Sequence, residues 1–128
     1  MKLLLDTHIW LRALRDPDKL SRNIRREIEK PSNELHLSPV SVWEAFHLVR
    51  GRRIKITVDF HHWLQESFRQ LPVQEAPVTF AVAAEVSRIR LDQPDFGDLF
   101  LAATASVFDL TLATEDPQLL KCEWLKTI

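Results

Sequence analysis

Glycine is nearly absent from the sequence, since only Gly51 and Gly97 occur among 128 residues. The glycine-rich dinucleotide loop, the Walker phosphate loop and the G-x-S-x-G turn of serine hydrolases each need two or more glycines close together. The two glycines of this chain lie far apart, so these three kinds of site are excluded. Any chemistry on nucleotides or phosphates must therefore use another architecture.

Cysteines and long apolar runs are also scarce. The single cysteine, Cys122, allows neither an internal disulfide nor a multi-cysteine zinc site, which favours a reducing cytosol. No apolar run approaches the roughly 18 residues of a membrane span, and Asp6 and His8 interrupt the apolar start before it reaches signal-peptide length. We therefore expect a cytoplasmic protein that does not enter a membrane. With 17 Lys and Arg against 18 Asp and Glu, binding to nucleic acid would need a local basic surface.

Apolar runs alternate with amphipathic segments along the chain, whose length is typical of one domain. The predicted strands are 2–5, 34–37, 111–113 and 122–125, with a short extended piece at 73–77. The predicted helices are 7–14, 21–30, 39–50, 59–70, 79–90, 98–108 and a short one that opens at Asp116-Pro117. This alternation predicts a single three-layer α/β/α domain over residues 1–128, with a mainly parallel sheet of four to five strands.

Acidic residues stand where such a fold binds ligands, beyond the carboxyl ends of the strands. Asp6 follows the first strand and Asp116 follows a later buried strand. Each also has a purely structural explanation as a helix cap, and an Asp-Pro pair is a good capping pair. Asp98 opens an apolar helix, and either it or Asp95, one turn earlier, can cap that helix.

Glu44 is harder to explain by structure alone. Ser38 is the expected N-cap of its helix because Pro39 follows it, as proline commonly occupies the first helical position. Glu44 then falls in the second turn, too deep to form a capping box with Ser41. A half-buried carboxylate at this position favours a functional role.

The four acids Asp6, Glu44, Asp98 and Asp116, if brought together, would repel one another unless a divalent cation lay among them. A ligand set made only of oxygen selects Mg²⁺ or Mn²⁺ over zinc. Such an ion activates water and neutralises the charge that develops on a phosphodiester. The acids therefore favour metal-dependent phosphodiester hydrolysis, although this chemistry alone does not separate RNA from DNA.

A basic run follows the Glu44 helix and is a candidate contact for a nucleic-acid backbone: Arg50, Arg52, Arg53 and Lys55. Most such runs are only solvated surface. A second group of arginines forms an alternative basic surface: Arg12, Arg15, Arg22, Arg25 and Arg26. The five histidines show no H-E-x-x-H spacing, so a histidine zinc site is not predicted.

Three segments taken together closely resemble PIN-domain proteins, in particular VapC-like toxins of bacterial toxin–antitoxin pairs: LLLDTHIWL, SPVSVWEAFHLVRGRRIKI and DFGDLFLAATASVFDLTLATEDPQLL. The resemblance runs nearly end to end. It implies a PIN-like fold and a Mg²⁺-dependent endoribonuclease that cleaves RNA, with Mn²⁺ able to substitute. It also implies a homodimer and a cognate antitoxin that inserts a segment into the active-site groove.

The resemblance assigns roles to individual residues. It implies that the catalytic and metal-binding acids are Asp6, Glu44, Asp98 and Asp116, with Thr7 and Thr114 as hydroxyl neighbours. Leu99 stands where many relatives have a basic or polar residue. The Phe96-Gly97 pair before Asp98 is also unusual, so the role of Asp95 as a ligand stays open.

Two other classes of function remain. A phosphatase of the haloacid-dehalogenase type also places a nucleophilic aspartate after its first strand, but its D-x-D motif needs an acid where His8 stands. A non-catalytic PIN-like binding module would keep the fold and lack the cleavage activity. Metal binding and RNA cleavage separate these alternatives.

Overall fold

A computed structural model describes residues 1–128, in which four strands form one parallel sheet. The strands are β1 (Lys2–Leu5), β2 (Glu34–Leu37), β3 (Gln74–Glu75) and β4 (Thr111–Ala113). The helices are α1 (Thr7–Arg15), α2 (Arg22–Glu29), α3 (Pro39–Arg50), α4 (Phe60–Gln70), α5 (Phe80–Val86), α6 (Phe96–Phe108) and α7 (Pro117–Leu120). A 3₁₀ turn, Pro17–Lys19, lies between α1 and α2.

The first strand lies inside the sheet, whose order is β3-β2-β1-β4. Leu3, Leu4 and Leu5 are fully buried, as expected of a strand covered on both faces. β1 pairs in parallel with β2, where Leu3 lies opposite Leu35, and with β4, where Leu3 lies opposite Thr111. The continuous apolar run that predicted a buried strand is therefore in the interior of the sheet.

Two hydrophobic cores lie on opposite faces of the sheet. Leu4 and Leu112 belong to the core that α5, α6 and α7 cover, whereas Leu5 and Ala113 belong to the core that α1 to α4 cover. Successive residues of a strand point to opposite faces, so neighbours in sequence enter different cores. The predicted three-layer α/β/α fold with a parallel sheet is confirmed. No helix is both long and apolar enough to cross a membrane.

The strand order reverses beside β1. The chain adds β2 and β3 on one side of β1 and then returns to place β4 on the other side. In open parallel sheets, ligands bind outside the carboxyl ends of the strands at such a reversal. Asp6 follows β1 and Thr114 follows β4, and the Asp6 backbone N–H donates to the Ala113 carbonyl at 3.0 Å. The fold therefore places these two side chains at the reversal.

The predicted strand at 122–125 is wrong. The Cys122 N–H donates to the Leu119 carbonyl and the Leu125 N–H donates to the Cys122 carbonyl, each at 3.1 Å, so the backbone turns instead of extending. Pairing with β4 occurs further along as one isolated parallel bridge between Leu112 and Thr127. The sheet consequently has four strands.

Two helix boundaries differ from the prediction by more than one residue. α6 begins at Phe96 rather than at Asp98, because Asp95 is its N-cap. α5 ends at Val86 rather than at Arg90, because the N–H groups that follow it bond to carbonyls three residues back, as in a 3₁₀ helix. The first of these shifts moves Asp98 from the helix start into the first turn.

Leu112→Ala is expected to destabilise the protein by about 2–5 kcal/mol, because truncating a buried leucine leaves a cavity. Phe80→Ala is the control, since Phe80 is 97% exposed and its truncation should change the free energy of unfolding by less than about 0.5 kcal/mol. Urea unfolding followed by circular dichroism measures both changes. Equal midpoints for the two variants would contradict the placement of Leu112 in the core.

Candidate functional site

Asp6 is held by a hydroxyl group rather than by a positive charge. Its Oδ2 accepts a hydrogen bond from Thr114 Oγ1 at 2.7 Å. Asp6 is 8% exposed and Thr114 is 1% exposed. Although Asp6 occupies the N-cap position of α1, its side chain makes no capping hydrogen bond. Helix capping therefore does not account for an acid at this position.

Glu44 is positioned by a chain of buried hydroxyl groups. Thr7 Oγ1 donates to Glu44 Oε1 at 2.7 Å and lies 2.8 Å from Ser41 Oγ in a second hydrogen bond. Thr7 and Ser41 are both buried, so the carboxylate is fixed from the protein interior. Ser38 caps α3, with its hydroxyl accepting from the Val40 N–H, which places Glu44 in the second turn as predicted.

Gly97 lies directly against the carboxylate of Glu44. A Cβ atom added to Gly97 would lie 2.8 Å from each of the two Glu44 carboxylate oxygens, which is too close for any real contact. The backbone of α6 can approach α3 here only because residue 97 has no side chain. One of the two glycines in the chain thus allows the helix that carries Asp98 to lie beside Glu44.

Asp95 and Asp98 have different roles in the structure. Asp95 Oδ1 accepts a hydrogen bond from the Asp98 N–H at 2.8 Å and so caps α6, while Asp98 is half-buried in the first turn and free of that role. Burial raises the pKa of Asp98 to about 7, and four neighbouring negative charges add to the effect: Asp95, Asp116, Asp6 and Glu44. The pKa of Asp98 is therefore raised by the charges of all four other acids.

Thr114 connects Asp6 to Asp116. The hydroxyl that donates to Asp6 also accepts from the Asp116 backbone N–H at 3.0 Å. Asp116 caps α7, with its Oδ1 accepting from the Gln118 N–H at 2.9 Å, so helix capping accounts for an acid at this position. Burial raises the pKa of Asp6, and the charge of Asp116 contributes. Since a carboxylate has two oxygens, Asp116 is both a cap and a member of the acidic group.

This acidic group consists of five residues, Asp6, Glu44, Asp95, Asp98 and Asp116, and none of them forms an ion pair. Burial raises the pKa of Glu44 as well, and the charges of Asp95 and Asp6 add to it. No three Asp, Glu, His or Cys side chains are arranged as ligands of one ion. The acids therefore interact electrostatically without converging on one point.

A pocket of about 460 Å³ opens beside Glu44 and Asp95. It combines acidic, basic and aromatic side chains, and its polar and aromatic lining is Thr7, His8, Trp43, Glu44, His47, Arg53, Asp95 and Phe96. Asp116 lines a separate groove. Of the predicted basic run, Arg53 lines the pocket, whereas Arg50, Arg52 and Lys55 do not. A second groove continues from His8 and Arg53 past three further basic residues: Arg12, Arg15 and Lys19.

The aromatic wall of this pocket was not found from the sequence. Trp43 and Phe96 are 52% and 56% exposed, and their ring centroids lie 6.0 Å apart. The available signal was their position, since Trp43 directly precedes Glu44 and Phe96 directly follows Asp95. The sequence does not reveal that α3 and α6 meet, so it could not show that these two aromatic residues lie on one wall.

The PIN domain family matches residues 3–125, a range that includes the whole acidic group. The chain belongs to the PIN domain family. The family resemblance predicted from the three sequence segments is therefore confirmed. The roles predicted for individual acids remain predictions, because the match identifies the domain and not its chemistry.

Solved structures share this PIN fold over nearly the whole chain. VapBC2 from Rickettsia felis, bound to a DNA fragment from its promoter, is 18% identical with a TM-score of 0.72, covering 100% of this chain and 98% of that one. VapBC-1 from nontypeable Haemophilus influenzae is 14% identical with a TM-score of 0.72, covering 100% and 97%. FitAcB from Neisseria gonorrhoeae is 23% identical with a TM-score of 0.63, covering 98% and 96%. No curated protein matches the chain by sequence.

Gly97→Ala is expected to break the hydrogen bond between Thr7 and Glu44 while leaving the PIN domain folded. The added methyl group would lie 2.8 Å from the Glu44 oxygens, and a side-chain end can move away more easily than a helix can. A crystal structure of the variant should place Thr7 Oγ1 and Glu44 Oε1 beyond hydrogen-bond distance. Gly51→Ala is the control, because no site carboxylate lies within contact of residue 51. An intact Thr7–Glu44 bond in Gly97→Ala would refute this account.

Asp98→Asn is expected to stabilise the metal-free protein at pH 8 by about 2 °C in melting temperature, because it removes a charge that its neighbours repel. The pKa of Asp98 is about 7 in the folded protein against 3.8 ordinarily, so the folded state binds more protons between these values. The repulsion therefore grows as pH rises from about 4 to 7, and the advantage of the variant should vanish near pH 4.

Thermal unfolding in a chelating buffer at the two pH values measures this difference. Glu123→Gln is the control, because Glu123 is exposed and lies outside the acidic group. A variant Asp98→Asn that melts below the wild type at pH 8 would show that the carboxylate stabilises the fold instead.

Proposed function

We propose that this PIN domain is a Mg²⁺-dependent endoribonuclease and the toxin of a type II toxin–antitoxin pair. The observation that carries the proposal is the acidic group, in which Asp6, Glu44, Asp98 and Asp116 interact at one edge of a parallel sheet and none forms a salt bridge. Uncompensated carboxylates are costly to bring together and are retained where they bind a cation. A nuclease of this kind hydrolyses a phosphodiester bond with such a site.

The donor chemistry of the site fits Mg²⁺, with Mn²⁺ able to substitute. The available side-chain ligands are carboxylate oxygens, which hard cations prefer. Mg²⁺ keeps several waters and commonly needs only one or two carboxylates, so a site without three converging side chains suits it. The carboxylates from which the ligands would come are Asp6, Glu44, Asp98 and Asp116, one or two of them binding an ion directly and the others through its waters. When bound, the ion would supply an acidified water and neutralise phosphate charge.

The side chains of the site have distinct parts in this proposal. Thr114 orients Asp6 and Thr7 orients Glu44, and both hydroxyls do so without neutralising the carboxylate. Asp98 must lose its proton to bind a cation, and its raised pKa makes that step dependent on pH near neutrality. Asp95 caps α6 through Oδ1 and its charge helps raise the pKa of Asp98. Its second oxygen is free of the cap, as in Asp116, so Asp95 stays an additional candidate ligand.

The RNA backbone would pass along the basic side of the site. Arg53 lines both the pocket and the adjoining groove, and Arg15 and Lys19 extend that groove away from the acids. Phosphates attract such residues, and a strand lying there would bring one phosphodiester to the carboxylates. Of the predicted basic run, we therefore expect Arg53 to contact the RNA backbone, rather than Arg50, Arg52 or Lys55.

The toxin role and the partner rest on the family and on the similar structures. VapBC2, VapBC-1 and FitAcB are each similar in fold to this chain over nearly its full length. VapBC-5 from Mycobacterium tuberculosis, also similar in fold, is described as a member of a family of toxin–antitoxin systems. We accordingly propose a cognate antitoxin as the protein partner. The homodimer and the cytoplasmic location stay predictions from the sequence.

Two alternatives from the sequence are disfavoured to different degrees. Membership in the PIN domain family argues against the phosphatase. This chain also lacks the second aspartate of the phosphatase D-x-D motif, because His8 occupies that position. The non-catalytic binding module is disfavoured less, because it would share the PIN fold with the nuclease. Calorimetry with Mn²⁺ separates it from the nuclease, because a wild-type chain that binds no Mn²⁺ would favour the binding module.

The purified chain is expected to cleave RNA in Mg²⁺ or Mn²⁺ and to stop when the metal is chelated. Asp6→Asn, Glu44→Gln and Asp98→Asn should each lower the rate by at least about 100-fold, because each removes a carboxylate that positions the cation. Denaturing gels of a labelled RNA measure the rate, and circular dichroism checks the fold. Glu123→Gln, purified identically, controls for contaminating nucleases. Cleavage at the wild-type rate by folded Asp98→Asn would falsify the site assignment.

A further inference from the structure

Two large aromatic side chains are exposed on the wall of the pocket without a structural need for that position. Trp43 is 52% exposed and Phe96 is 56% exposed, and both line the pocket that holds Glu44. Neither belongs to either hydrophobic core of the domain. Large aromatic surfaces left in water beside a polar site are typical of a surface that binds something.

The two rings are held in place before any ligand arrives. Trp43 packs nearly perpendicular to His47, with centroids 4.3 Å apart, and Phe96 packs at 32° on Phe100, with centroids 4.5 Å apart. Their contact with each other is also edge-like, at 62°. None of these contacts places another ring in parallel on Trp43, and the rings lose little freedom when a ligand binds.

The rest of the pocket indicates what the ligand is. Glu44 and Asp95 lie at one side, Arg53 and two histidines, His8 and His47, also line it, and Leu48 is its only aliphatic side chain. A peptide helix that docks through its apolar face needs a groove lined mainly by aliphatic side chains, whereas here charged and polar side chains surround the two rings. A nucleotide combines a flat aromatic base with a phosphate, and it matches aromatic and charged groups placed side by side.

We propose that Trp43 and Phe96 form a platform for one unpaired nucleobase of the RNA, next to the phosphodiester that the acids address: the base stacks on Trp43, and Phe96, inclined at 62° to that ring, borders the base at its edge. This inference rests on the proposed function and deepens it, because it names specificity-determining residues and a substrate class. A base must leave its duplex to stack on protein side chains, so the platform selects single-stranded RNA. Purines have the larger stacking surface, so adenine should bind better than uracil.

Binding of short RNAs tests the platform without cleavage. The probes are labelled strands of eight adenylates, of eight uridylates, and of eight riboses that lack bases, in a buffer with Ca²⁺, and gels check that they stay intact. The wild type should bind the adenylate strand about 10-fold more tightly than the base-free strand. Trp43→Ala should lose most of this difference, Phe96→Ala should lose part of it, and Trp43→Phe should keep it.

Matched controls come from other exposed aromatic residues of the chain. Trp124 is 51% exposed and Phe80 is 97% exposed, and neither lines the pocket, so Trp124→Ala and Phe80→Ala should bind all three strands as the wild type does. Unchanged adenylate affinity in Trp43→Ala overturns the platform. An equal loss of affinity for the adenylate and the base-free strand also overturns it, because that result means a structural role for Trp43.

The same proteins separate this inference from the nuclease proposal. In one outcome, RNA binding depends on Trp43 and on the base, but RNA cleavage does not depend on Asp98. That outcome would support the platform and refute the assigned cleavage site. Cleavage that depends on Asp98, together with adenylate binding that is indifferent to Trp43→Ala, would support the nuclease and overturn the platform.

Discussion

Repulsion among like charges is the constraint on which this site depends. The fold holds five carboxylates near one another, and burial and mutual repulsion raise the pKa of Asp98 to about 7. Arginine or lysine partners would relieve the repulsion but would also cancel the charge. Thr7 and Thr114 instead fix Glu44 and Asp6 with neutral hydroxyl groups, so orientation is achieved and the negative charge is kept. The site thus keeps the negative charge that the proposed cation would need, at the expense of the stability of the metal-free protein.

The sheet topology brings these hydroxyls and acids together. The reversal of strand order beside β1 puts the ends of β1 and β4 side by side, where Thr114 meets Asp6. Glu44 and Asp98 come from α3 and α6, and their helices approach closely because residue 97 has no side chain. Glycine is scarce in this chain, which has no glycine-rich loop, and one of its two glycines lies directly against a carboxylate of the acidic group.

Much of this could be predicted because it depends on local pattern. The apolar run before Asp6 predicts a buried strand, and Ser38-Pro39 fixes the helix start that puts Glu44 in the second turn. The strand predicted at 122–125 failed because an alternating apolar pattern does not distinguish a strand from successive turns. The division of roles between Asp95 and Asp98 needed the helix start, which sequence patterns locate only within a few residues. The contact of Gly97 with Glu44 and the aromatic wall depend on helix packing across the chain, which no local pattern records.

The hydrogen bond between Thr114 and Asp6 joins residues that are 108 positions apart. Contacts of such long range form late in folding, since the intervening chain must be ordered before its ends can meet. During synthesis, Asp6 is made 108 residues before Thr114, so it lacks this hydrogen-bond partner until β4 and Thr114 have followed it. A growing chain therefore carries most of the carboxylates without their arrangement. The site can therefore assemble only after Thr114 and Asp116 have been synthesised, because Thr114 is the residue that joins Asp6 to Asp116.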